Sequence, residues 1–159
     1  MLRDRGSWLM RAATSGLIVA SLACRGGSST PTQPSGASSS NVTGTWSGSA
    51  SDSSGPGQMT WQITQSGSSF SGPLTMTMTT ADTLMVVTAR GTVSGTLSGA
   101  SIQFSIAVLA GGFDSPFSAC TANVSGSGST SSTEITGTYT GSSSCGGAIT
   151  SGQLALNKQ

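Results

Sequence analysis

From Gly91 to Val108 the chain reads GTVSGTLSGASIQFSIAV, alternating apolar or glycine positions with polar ones at period two on both sides of Gly99-Ala100. Successive side chains of a strand point to opposite faces, so this pattern specifies a half-buried antiparallel hairpin. With the turn at Gly99-Ala100, Leu97 faces Ile102, Gly95 faces Phe104, Val93 faces Ile106 and Gly91 faces Val108. Ser94, Thr96, Ser98, Ser101, Gln103 and Ser105 line the other side. Glycine at the first position of a two-residue loop suits a type II′ turn, whose twist matches that of the strands it joins.

The same rule recurs along the chain. Eight segments alternate between turn signals: 42–50, 57–65, 69–79, 84–98, 101–109, 117–127, 133–141 and 149–157, and none of useful length has helical spacing. A turn at Ser66-Gly67 sets Ile63 against Phe70, Trp61 against Gly72 and Met59 against Leu74. Tyr139 opposite Gly152 brings Ile135 level with Leu156. Large residues crossing glycines on the apolar face let strands curl tightly. The expectation is all-β: a single eight-stranded up-and-down antiparallel barrel, which leaves no unpaired edge. A two-sheet β-sandwich of the same strands is the alternative. The apolar face is expected inside, because glycines interrupt it and few aromatics are present to form the girdles of a lipid-facing barrel.

Residues 1–23 combine Arg3, Arg5 and Arg11 with a short apolar run through Leu17-Ile18-Val19-Ala20 and end in Ser21-Leu22-Ala23, which reads as an export signal. The apolar run is too short to span a bilayer. Residues 24–41 are Gly-, Ser-, Pro- and Thr-rich, with no apolar side chain larger than alanine after Cys24, and read as a flexible tether to a domain at 42–159. Beyond Cys24 the charges are Arg25, Arg90 and Lys158 against Asp52, Asp82, Asp114 and Glu134. This near-neutral balance has no basic patch to neutralise phosphates, which argues against a nucleic-acid partner.

The Ser21-Leu22-Ala23-Cys24 stretch resembles the lipobox of bacterial lipoproteins, with Ser21 where leucine is usual. The resemblance implies lipidation of Cys24 and a membrane anchor; ordinary cleavage after Ala23 is the alternative. The absence of aspartate after Cys24 implies, by the sorting rule of enteric bacteria, the outer membrane. Cys120 and Cys145 then remain as a pair in an oxidising compartment, where a disulfide is expected.

No catalytic set can be assembled. The chain has no histidine to serve a serine nucleophile or a zinc site. Asp52, Asp82 and Asp114 sit in loop-like sequence, where aspartate caps local bends, and no cofactor motif opens a helix. Gly44-Thr45-Trp46 resembles the G-x-W signature near the start of calycins, the barrel superfamily that includes lipocalins, fatty-acid-binding proteins and avidins. The resemblance implies a tryptophan, Trp46, that plugs one barrel end, with Lys158 as the basic residue from the last strand. Two functions follow as expectations. In one, the interior holds a small apolar ligand among Trp46, Met59, Trp61, Met76, Met78, Met85, Phe104 and Tyr139, methionine adapting to varied shapes; the same side chains also suit a filled core. In the other, a filled scaffold meets an envelope protein partner through its loops, with Phe113 as an exposed aromatic.

Overall fold

The computed structural model describes residues 40–159. The expected signal segment, Cys24 and all but the end of the expected tether lie outside the described residues. The described chain is a closed barrel of eight antiparallel strands, each hydrogen-bonded to the next in sequence and the last to the first. They are β1 (Gly44–Asp52), β2 (Gly55–Ser66), β3 (Ser69–Thr79), β4 (Val86–Ser98), β5 (Ser101–Val108), β6 (Ala122–Thr130), β7 (Glu134–Ser143) and β8 (Gly147–Lys158). The seam that closes the ring pairs Trp46 with Lys158 and Gly48 with Leu156. The sandwich alternative is thereby excluded.

The alternation sets the wall. Val93, Leu97, Ile102, Phe104 and Ile106 are buried, while Ser94, Ser98, Ser101, Gln103 and Ser105 face outward. The β4–β5 register pairs Leu97 with Ile102, Gly95 with Phe104 and Val93 with Ile106 around Gly99-Ala100. Gly99 has φ 60°, a left-handed conformation that glycine adopts without steric cost. In β7–β8, Tyr139 meets Gly152 and Ile135 meets Leu156, as the alternation predicts.

The β2–β3 register differs from expectation by two residues. Ser66 pairs with Ser69 around Gly67-Ser68, so Trp61 meets Leu74 and Met59 meets Met76. A shift of two leaves every side chain on its original face, so the apolar pattern alone does not choose between the two registers. Strand β4 begins at Val86 rather than residue 84, and β6 at Ala122 rather than 117.

Aromatic rings fill one half of the interior. Phe104 stands level with Gly95 of β4 and Gly126 of β6, and a Cβ at either glycine would strike a phenylalanine ring: Phe70 at Gly95, Phe104 at Gly126. Trp61 packs edge-on to Phe104, ring centroids 5.3 Å apart. Trp46, the cross-strand partner of Trp61, is fully buried and donates its indole N–H to the Val42 carbonyl at 2.7 Å. These rings plug the barrel end where β1 begins and β8 finishes. The short turns Gly67-Ser68 and Gly99-Ala100 lie at the same end.

Candidate ligand cavity at the open end of the barrel

Away from the rings, the inward positions carry smaller or unbranched side chains. Met59 of β2, Met76 and Met78 of β3, Val87 of β4, Ile106 and Val108 of β5, and Ala122 and Val124 of β6 enclose a cavity of about 170 Å³. Its mouth is at the end bearing the longer connections. Thr80 comes from the β3–β4 loop, Phe113, Phe117 and Cys120 from the β5–β6 loop, and Cys145 and Gly146 from the β7–β8 turn.

The β5–β6 connection is drawn over this end by backbone bonds to β4. Arg90 donates its N–H to the Gly112 carbonyl at 2.8 Å, and Asp114 donates to the Thr88 carbonyl at 3.0 Å. Phe113, level with Ala89, therefore turns inward and packs with Ala89, Val108 and Ala122. The expectation of an exposed aromatic at Phe113 is corrected: the ring is partly buried and lines the mouth. On the outside, Arg90 and Asp114 form an exposed ion pair at 2.9 Å.

Across the mouth, the β6–β7 ladder continues past Ala122 and Ser143, with Ser144 donating to the Thr121 carbonyl at 2.9 Å. That register carries Cys120 level with Cys145, and the two are joined as a disulfide with Cα atoms 5.7 Å apart. Both cysteines line the cavity, so the bond clamps the long loop to the turn at the rim.

Besides the hydroxyls of Ser54, Thr80 and Ser143, this largely apolar wall carries one hydrogen-bonded pair that includes a charged group, Asp52 with Tyr139. Asp52 ends β1 on the inward parity of Trp46, Gly48 and Ala50. Its Oδ1 accepts the Ser54 N–H at 2.7 Å, the local bend expected of an aspartate before Ser-Ser-Gly-Pro. Its Oδ2 accepts the Tyr139 hydroxyl at 2.9 Å. Burial first, then the charge of Asp52 and the hydrogen bond to it, push the Tyr139 phenol well above its ordinary value. Beside Tyr139, β8 carries an extra residue between Ile149 and Gly152, with Ser151 at φ 57°. Such a bulge bends a strand locally and re-aims neighbouring side chains.

The residues expected to line the interior divide into three groups. Met59, Met76, Met78 and Tyr139 surround the cavity. Trp46, Trp61 and Phe104 lie inside but belong to the packed half. Met85 is corrected: it is exposed, in the β3–β4 loop, because the chain leaves the ladder at Val86 and Leu84 takes a left-handed φ of 55°. Asp52 is the lining residue that the apolar pattern missed, though its parity with Trp46 and Ala50 marks it as inward.

At the opposite end, the Lys158 ammonium lies 5.3 Å from the centroid of the Trp46 ring. No family model, no curated protein and no solved structure matches this chain.

Proposed function

We propose that this chain is an exported, lipid-anchored envelope protein whose barrel binds one small apolar ligand at its open end. The cavity carries the reading: about 170 Å³ of space walled by Met59, Met76, Met78, Val87, Ile106 and Val124. An engineered apolar cavity of about 150 Å³ stays dry and takes up benzene, so a ligand of one-ring size is the appropriate scale. Methionine walls repack around different shapes, which suits a binder more than a rigid core. The Trp46 plug beneath Lys158 supports the calycin-like comparison, and the Ser21-Leu22-Ala23-Cys24 motif supports the anchor.

Native mass spectrometry of gently purified protein tests the binding function, with a small apolar adduct as the expected result. Ala122→Phe, which fills the cavity, should abolish it. A clean apo mass together with no uptake of toluene overturns the reading. Metabolic labelling with a fatty acid tests the anchor separately: label is expected on the natural chain and not on Cys24→Ser.

One observation favours interaction through loops as a second reading. Leu84, Val86 and Leu109 are 75%, 69% and 72% exposed, all on or beside the longer connections. In-cell cross-linking should then trap a specific envelope neighbour, and loss of that product in a Leu84→Ser, Leu109→Ser double variant would identify the loops as its contact.

A further inference from the structure

We propose that the cavity selects its ligand by charge, accepting small apolar molecules with an uncharged or cationic hydrogen-bond-donating head and rejecting carboxylates of the same shape. This rests on the ligand-binding reading above and adds the chemical class of the ligand.

Among the described residues, the lining contains one charged side chain, Asp52, and neither lysine nor arginine. The cations among the described residues are committed elsewhere. Arg90 pairs with Asp114 on the outer surface, and Lys158 lies over Trp46 at the plugged end. A fatty-acid-like carboxylate entering the mouth would therefore meet a like charge across apolar walls with no counter-ion. Such repulsion grows as water is excluded.

The hydrogen-bonding capacity of the Asp52–Tyr139 pair is also one-sided. The Tyr139 hydroxyl spends its single proton on Asp52 Oδ2, so toward a ligand it offers only lone pairs. Asp52 accepts one bond at each oxygen, from Ser54 and from Tyr139, and each oxygen keeps a second lone pair. The pair thus presents acceptors on the wall of a space of one-ring size. An ammonium, a hydroxyl or an amide N–H answers it, whereas a carboxylate brings this pair only further acceptors and is left to the neutral hydroxyls of Ser54, Thr80 and Ser143 at the rim.

Titration calorimetry of the disulfide-intact protein with toluene, benzyl alcohol, benzylammonium and phenylacetate tests this directly. Benzyl alcohol and benzylammonium should bind at least as well as toluene, and phenylacetate at least about tenfold more weakly than benzylammonium. Asp52→Asn should bring benzylammonium and phenylacetate to within about threefold of each other, while Tyr139→Phe, which keeps the carboxylate, should preserve the preference. Phenylacetate binding as tightly as benzylammonium in the natural protein overturns the charge selection while leaving the cavity as a site. Failure of all four probes, toluene included, overturns both proposals. The natural protein decides the matter even if Asp52→Asn fails to fold.

Discussion

Lys158 and Trp46 are partners across the β1–β8 seam, and the lysine ammonium rests 5.3 Å from the indole centroid. The two residues join the last strand to the first at the point where the ring closes. The lysine stem also covers Gly44, since a Cβ there would lie 3.1 Å from Lys158 Cε. Lys158→Ala should therefore lower the unfolding free energy by about 0.5–1 kcal/mol through the lost cation–π contact and stem packing. Trp46→Ala should cost about 3–5 kcal/mol, because it empties a fully buried site. Urea unfolding followed by far-ultraviolet circular dichroism measures both; equal losses would contradict this division of roles.

Tyr139 is the one tyrosine in the chain, so the rise in absorbance near 295 nm as pH increases reports its ionisation alone. Its folded-state pKa lies above the ordinary 10.0. The folded protein therefore keeps a proton that the unfolded chain releases, and the associated stability is fully present below about pH 10 and lost as pH rises through the folded value. The native protein should show no phenolate absorbance at about pH 10, where unfolded chain is half ionised. Tyr139→Phe should cost about 1–3 kcal/mol at neutral pH and flatten the decline in stability above about pH 10. A native titration midpoint at the ordinary value would remove the Asp52 contact from the description.

The Cys120–Cys145 bond spans 25 residues. Constraining an unfolded chain by a loop of that size is worth about 3 kcal/mol in the chain-entropy model. Reduction, or the Cys120→Ser, Cys145→Ser double variant, should lower stability by about that amount. Because both cysteines line the mouth, it should also speed exchange of toluene, readable by ligand NMR. Unchanged exchange would mean that the clamp does not govern entry.

Gly152 lies directly beneath the Tyr139 ring, and the atoms nearest a Cβ there would all belong to that ring. Gly152→Ala should destabilise the barrel by about 1–3 kcal/mol through overpacking. In a Tyr139→Leu background the same change should cost markedly less. A double-mutant cycle measures the coupling, and additive losses would deny the contact.

Leu84 is 75% exposed and sits at φ 55°, in a turn braced by the Thr80 hydroxyl accepting the Met85 N–H at 3.1 Å. A γ-branched side chain gains nothing there from packing. Leu84→Gly should raise stability by about 0.5–1 kcal/mol, the reverse of most substitutions by glycine. A lower melting temperature would show that Leu84 makes a stabilising contact.

The period-two pattern was sufficient for the strand number, the inward face and the registers that hold Leu97 against Ile102 and Tyr139 against Gly152. It was insufficient wherever alternation does not report the ladder. Met85, Val87 and Ala89 share a parity, yet only the last two are buried, because the left-handed Leu84 breaks the strand geometry before Met85 can turn inward. Phe113 and Cys120 are buried in whole or part by a loop lying over the barrel mouth, so their apolar character read as strand or exposed loop instead. The cavity depends on how volumes sum around the ring. Phe70, Trp61 and Phe104 crowd one half, while valine, alanine and methionine leave the other unfilled, and no single strand carries that difference.

Because the seam makes β8 the neighbour of β1, the order of strands around the wall is cyclic and its starting point is arbitrary. A circular permutant that links Gln159 to Asn41 by a short Gly/Ser spacer and opens the chain between Gly99 and Ala100 should assemble the same wall, its new termini emerging at the same end of the barrel but across the ring from the seam.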